Sequence, residues 1–270
     1  MKIVVFDLDE TLGYFVEYGI FWDCLNKYLL NENYQLTQKD FNEILDLFPE
    51  FLRPNIINIL NYLKNKKQSK CCNKMMIYTN NQGPKKWAQQ IISYFESKIN
   101  YKLFDQIIAA FKINGEKIEI CRTSHDKSHS DLIKCSQIPV DTEICFLDDS
   151  YYPEMSHKNV YYINIKPYLH DLRFEVMLKR FLISNLGKKL IDKGENNIKF
   201  MNSMLKEFKR YNFTCIDKNQ DENEIDKILS KEILTNLQEF FNKSFKTKSN
   251  NNKTKRSNGN KRNKTMKIKI

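Results

Sequence analysis

Five short runs of mostly apolar residues recur along the chain, at 2–7 (KIVVFD), 74–79 (KMMIYT), 105–110 (DQIIAA), 143–148 (EICFLD) and 159–165 (NVYYINI). None alternates cleanly between apolar and polar positions. Near-continuous runs of this length are the pattern of strands covered on both faces, as in a parallel sheet. The stretches between them carry helical spacing instead. Pro54 opens a segment with Ile56, Ile57, Leu60 and Leu63 on one face, and Pro84 opens another with Trp87, Ile91, Ile92 and Phe95. Strand and helix therefore alternate, which predicts an α/β fold: a doubly wound, Rossmann-like parallel sheet of about five strands.

Two inserts interrupt this core, which spans residues 1–170. Residues 13–50 form a small helical insert with helices near 20–30 and 38–48. The second is announced by Thr37 with Asp40 three residues later, a start resembling a capping box. Residues 109–122 (AAFKINGEKIEICR) read as a β-hairpin turning at Asn114-Gly115, a dipeptide suited to a two-residue turn with positive φ at both positions. Past about residue 170 the strand pattern stops. Helical patterns at 172–182, 198–208 and 225–245 predict a helical extension over 171–245.

Charge divides the chain again. Residues 246–270 carry ten Lys or Arg and no acid; subtracting these ten from the net charge of +11 leaves +1 for residues 1–245. The Asn-, Lys- and Ser-rich tail has too little apolar surface to order itself and is read as disordered. It could engage nucleic acid through phosphate contacts or serve as a nuclear address around 253–256.

The seven cysteines follow no framework spacing, and Cys145 lies inside an apolar run. They are read as reduced thiols of a cytoplasmic or nuclear protein. His125 and His129 have the separation of two zinc ligands on a helix but no third ligand beside them. No apolar run approaches membrane-spanning length, and the first strand begins at Lys2, so no membrane segment or signal peptide is expected.

The chemistry concentrates at strand ends. Ligands of doubly wound sheets bind at the carboxyl ends of the strands. There the first run ends in Asp7 with Asp9 two residues on, the second ends in Thr79, and the fourth ends in Asp148-Asp149. Two carboxylates one residue apart beyond a buried strand suit a magnesium-dependent phosphoryl-transfer site.

The sequence DLDETL (7–12), followed by IYTNN around Thr79 and FLDD ending in Asp148-Asp149, resembles the haloacid dehalogenase superfamily of aspartate-nucleophile phosphatases. The resemblance spans residues 3 to about 165. Within the superfamily, DLDETL followed by FLRPNIINIL and YTNN is similar to the branch that includes phosphatases of the RNA polymerase II C-terminal domain, also called NLI-interacting-factor-like. NNQGPKKW and EICFLDD are also similar to phosphatase-like proteins of giant DNA viruses. That branch usually has DN where this chain has Asp148-Asp149, and its lysine lies closer to the last motif.

The resemblance implies a Mg²⁺-dependent phosphomonoester hydrolase in which Asp7 is the nucleophile and forms an aspartyl-phosphate, while Asp9 is general acid and base. Mg²⁺ would be held by Asp7, Asp148 and the main-chain carbonyl of Asp9, with Asp149 binding its water or orienting its ligands. Thr79 would bind phosphoryl oxygens as a strand gives way to a helix N-terminus, with Asn80 and Thr11 as further substrate contacts. The family also uses a lysine, for which Lys112, Lys117, Lys127 and Lys134 are candidates. Ser128 with Asp131 marks a helix start, so Lys127 falls at the edge where the strands end. Lys134 would sit about 10 Å further along that helix and point away.

A phosphorylated protein is the first-choice substrate; a nucleic-acid end, or an idle scaffold that binds a partner through the extension and tail, are the alternatives. Tyr151, Tyr152, Tyr161 and Tyr162 are read as core and strand packing rather than a base-stacking surface. His157 and His170 are read as surface residues.

Overall fold

The computed structural model describes residues 1–191, 195–211, 215, 218–243 and 268–269. Its order is β1 (Lys2–Phe6), α1 (Val16–Asn31), α2 (Gln38–Leu45), α3 (Ile56–Gln68), β2 (Lys74–Tyr78), α4 (Lys85–Ile99), β3 (Gln106–Ile108), β4 (Lys112–Ile113), β5 (Glu116–Lys117), α5 (His129–Ser136), β6 (Glu143–Asp148) and β7 (Val160–Asn164). Four helices follow, α6 (Phe174–Ile183), α7 (Asn185–Leu190), α8 (Glu195–Phe208) and α9 (Gln220–Asn242). A two-residue strand, β8 (Ile268–Lys269), pairs with β7. The rest of the tail read as disordered lies outside the described residues.

The five expected strands form one parallel sheet in the order β3-β2-β1-β6-β7. Alternate residues face opposite layers. Val4, Phe6, Met75, Ile77, Cys145 and Leu147 join the larger core with α1–α4, while Ile3, Val5, Met76, Tyr78, Ile144 and Phe146 face α5. The chain moves from β1 to β2 and β3 on one side, then crosses to β6 and β7 on the other. β1 and β6 are therefore neighbours whose following connections diverge, and a crevice opens beyond their carboxyl ends.

The insert over 13–50 packs into the main core. Tyr18, Phe21, Trp22, Phe41, Phe48 and Phe51 are buried in it, and the Tyr18 hydroxyl donates to Phe41 O at 2.8 Å. Thr37 does cap α2 in a full capping box with Asp40. The extension joins the same core. Lys2 Nζ donates to Phe240 O at 2.8 Å and Lys243 O at 2.7 Å, capping the carboxyl end of α9 as cations do. Arg180 grips Glu50 with two bonds of 2.9 and 2.7 Å.

Several local expectations are corrected. The hairpin turns at Asn114-Gly115, both at positive φ, but its arms are two residues each. The expected helix over 172–182 is followed by a separate short helix, α7, capped by the Ser184 side chain. Cys121 and Cys135 form a disulfide, against the expectation of reduced thiols throughout; the other five cysteines form no disulfide. Cys121 packs against the same apolar cluster as Cys135 of α5, a meeting that spacing could not show. His157 and His170 are half-buried instead of surface residues, and His157 stacks on His129 with ring centroids 4.0 Å apart. No described helix is long and apolar enough to cross a membrane.

Candidate active site

Asp7 follows the last residue of β1, where its backbone N–H donates to Leu147 O at 2.8 Å and locks the two central strand ends together. Asp148 is the last residue of β6. Lys127 stands between them: its ammonium lies 2.5 Å from Asp7 Oδ1 and 2.6 Å from Asp148 Oδ2. All three are buried, and the rings of Tyr78, Phe146 and Tyr152 surround the ammonium. The lysine arrives there because Ser128, the residue after it, caps α5 by accepting from Asp131 N at 3.1 Å. The other candidates do not reach the cleft. Lys134 is exposed, and Lys112 and Lys117 lie 5.2 and 5.1 Å from the Phe111 ring.

Asp9 lies on a tight loop. Glu10 takes a left-handed φ of 58°, and its N–H donates to Gly13 O at 2.7 Å. A side chain at Gly13 would begin 2.4 Å from Phe51 O, so the loop closes only on glycine. Arg53, buried at 2% exposure, brackets the turn by donating to Thr11 O at 2.6 Å, Glu10 O at 2.5 Å and Lys166 O at 2.9 Å.

On the second strand end, Thr79 is buried and its Oγ1 accepts from Asn81 N at 3.0 Å. The helix begins where Pro84 predicts: residues 79–84 form a loop before α4, whose N-cap is Pro84, so Thr79 ends its strand and is separated from the helix N-terminus by that loop. Within that loop Asn81 turns to the acids, its side-chain amide donating to Asp9 Oδ2 at 2.7 Å. Asn80 donates to the Tyr152 hydroxyl at 3.0 Å.

One cleft is lined by Asp7, Asp9, Thr79, Lys127, Asp148 and Asp149, together with Glu10, Asn80, Asn81, Ser150 and Tyr152. Thr11, expected to touch substrate, does not line it. Thr11 is 1% exposed and donates to Asp149 Oδ1 at 3.2 Å, so it orients that carboxylate. Ser150 N donates to Asp148 Oδ1 at 2.9 Å and fixes the other.

Burial sets the electrostatics. It pushes the carboxyls of Asp7 and Asp148 up, Asp148 to about 7, against the pull of the Lys127 ammonium. Burial also works to lower Lys127, but the two carboxylates override it and hold the ammonium well above its ordinary value. Burial and the neighbouring Asp7 charge push Asp9 up to about 7, opposed by its bond from Asn81. The cluster has more buried negative charge than one lysine balances.

That imbalance fits a divalent cation. Among the described residues, Asp7, Asp148 and Asp149 are the one group of three metal-capable side chains, offering ligand oxygens within 4.8 Å of one another. An all-oxygen set of carboxylates is the donor chemistry of Mg²⁺, which keeps its remaining positions for water and phosphate oxygens. The histidines form no comparable group.

Sequence reasoning missed Asn81, Tyr152, Arg53 and Arg122. Arg122, fully buried, donates to Thr79 O at 3.1 Å, Ala109 O at 2.9 Å and His125 O at 2.9 Å, so one guanidinium ties two strand ends to the Lys127 loop. A buried arginine has no local signature in the sequence. Asn81 had one, its place in the Asn80-Asn81 pair, but which amide turns inward depends on the loop.

Fold and site together define a doubly wound α/β protein with an acid cluster and a buried lysine at the switch point of its sheet. No family model matches the chain, and neither a curated protein nor a solved structure matches it significantly.

Proposed function

We propose that this chain is a haloacid-dehalogenase-like phosphatase, a Mg²⁺-dependent phosphomonoester hydrolase with a phosphorylated protein as first-choice substrate. The observation that carries the reading is the Lys127 ammonium bound to both Asp7 and Asp148 in a cleft that Asp9, Thr79 and Asp149 also line. A phosphoryl group brings two negative charges to that cleft. Lys127 supplies one compensating charge, and Mg²⁺ held by Asp7, Asp148 and Asp149 supplies two more when bound, neutralising phosphate oxygens beside the nucleophile.

In the first step an Asp7 carboxylate oxygen attacks phosphorus, the bond from phosphorus to the ester oxygen breaks, and Asp9 gives its proton to the departing oxygen. In the second, Asp9 takes a proton from water. The water oxygen attacks phosphorus, the aspartyl-phosphate bond breaks, and inorganic phosphate leaves with Asp7 restored. The Thr79 hydroxyl and neighbouring backbone N–H groups hold the phosphoryl oxygens in this scheme. Asn81 keeps the Asp9 carboxyl oriented through both steps.

Phosphate release from a generic aryl phosphate, measured with Mg²⁺ and with a chelator, tests the assignment. Turnover that requires Mg²⁺ and vanishes in Asp7→Asn is the expected result. An Asp7→Asn protein as active as wild type would overturn it.

A further inference from the structure

A second cavity, of about 400 Å³, opens between α1 and the start of α4. Its walls are Val16, Ile20, Trp22 and Trp87, and it meets the acid cleft at Asp9 and Asn81, which line both. We propose that this cavity receives the leaving group, and that it selects a phosphomonoester whose alcohol carries a planar aromatic ring close to the ester oxygen. The inference rests on the phosphatase reading above.

The position of Asp9 gives the direction. A general acid must touch the oxygen that departs, so whatever is attached to that oxygen continues past Asp9. The Asn81 amide fixes the Asp9 carboxyl at the junction of the two cavities, 2.7 Å away. Beyond that junction lies the second cavity, whose volume is in the range of small-ligand sites.

Its lining gives the chemistry. Trp87 is half-exposed into the cavity and held from behind by Tyr18 and Phe41, at ring-centroid distances of 5.9 and 5.6 Å. Gly19 lies against the edge of the indole without a side chain of its own; a Cβ there would stand 3.4 Å from the nearest indole atom, in ordinary contact. Val16 is 46% exposed at the mouth. A rigid indole beside aliphatic side chains suits a planar ring, by stacking or edge contact. The charged lining residues away from Asp9 are Asp23 and Lys86, one of each sign. A polynucleotide end, which brings further phosphates, finds no cationic wall there.

Benzyl phosphate and ethyl phosphate isolate the ring, because both release a simple primary alcohol. The wild-type protein with Mg²⁺ is expected to show kcat/KM at least about tenfold higher for benzyl phosphate, the scale of a filled apolar pocket. Val16→Trp, which crowds the exposed mouth, and Trp87→Ala, which removes the wall, should each bring the ratio of the two substrates towards unity, mainly through KM.

Equal kcat/KM for the two substrates in wild type, or a ratio unmoved by both variants, would overturn the subsite while leaving the phosphatase reading intact. Turnover of neither substrate would count against the phosphatase reading itself. The subsite is then decided by binding. Trp22 and Trp87 are the only tryptophans in the chain, so their emission should respond to benzyl phosphate and not to ethyl phosphate; no difference would reject the subsite. If the ring is borne by a protein, a tyrosine-phosphorylated peptide should match or exceed phenyl phosphate in kcat/KM. A peptide far poorer than phenyl phosphate assigns the subsite to free small molecules.

Discussion

Asn81 donates its side-chain amide to Asp9 Oδ2 across 2.7 Å, although 72 positions separate the two residues. The bond leaves one Asp9 oxygen engaged and sets the direction of the other. Asn81→Ala should therefore lower kcat by roughly 10- to 100-fold, less than the about 10²- to 10⁴-fold that a positioned general acid itself contributes, with a smaller change in KM. Steady-state kinetics on an aryl phosphate gives the answer. A wild-type kcat in the variant would show that Asp9 does not depend on this bond.

Lys127 is the only described cation bonded to Asp7 and Asp148. Lys127→Met leaves two buried carboxylates uncompensated, a change that typically costs about 3–5 kcal/mol. Because the acids that lose their partner are also the proposed Mg²⁺ ligands, Mg²⁺ should raise the Tm of the variant more than that of wild type. Thermal denaturation with Mg²⁺ and with chelator compares them. Identical Mg²⁺ shifts would argue against a cation at these acids.

The Cys121–Cys135 bond closes the segment that carries Arg122 and Lys127, with a sequence separation of 14. A cross-link over a loop of this length stabilises by about 3 kcal/mol, largely by restricting the unfolded chain. Cys121→Ser should lose stability on that scale in chemical denaturation. Alkylation of the unfolded, unreduced wild-type chain should modify five cysteines, and all seven after reduction, as read by mass. Seven modified without reduction would mean that the bond does not form.

Glu17 is fully buried in α1, where its carboxyl accepts from Leu172 N at 3.2 Å. Burial, with the Asp171 carboxylate beside it, raises its pKa to about 8 from an ordinary value near 4.5. The folded state thus retains a proton that the unfolded chain releases. Its contribution to stability is complete below about pH 4.5, shrinks as pH climbs, and is gone above about pH 8. Glu17→Gln keeps the shape without the charge. It should match wild type near about pH 5 and exceed it by roughly 2 kcal/mol near about pH 9, after allowance for solvent screening. Denaturation curves at the two pH values test this, and parallel pH dependences would contradict it.

What the sequence determined by itself was local or periodic. The five strands were legible because buried parallel strands are nearly continuous apolar runs, and α2 and α5 because Thr37 and Ser128 satisfy backbone N–H groups within their own first turns. Lys127 was placed at the strand edge by that same capping signal. Asp7, Thr79 and Asp148 stood out because they end apolar runs, and Asp9 because it follows Asp7 by two positions; the strand order brings those ends to one crevice.

Tertiary structure decided whatever depends on which distant segments meet. Arg53 and Arg122 bind carbonyls far from them in sequence, and a buried guanidinium looks like any surface arginine until the fold removes its water. Thr11 turned to Asp149 instead of the cleft because the loop around Glu10 folds on itself. Cys121 met Cys135, and Asn81 rather than Asn80 met Asp9. Such pairings depend on loop geometry and on packing between non-adjacent elements, whereas runs and caps depend only on neighbours along the chain.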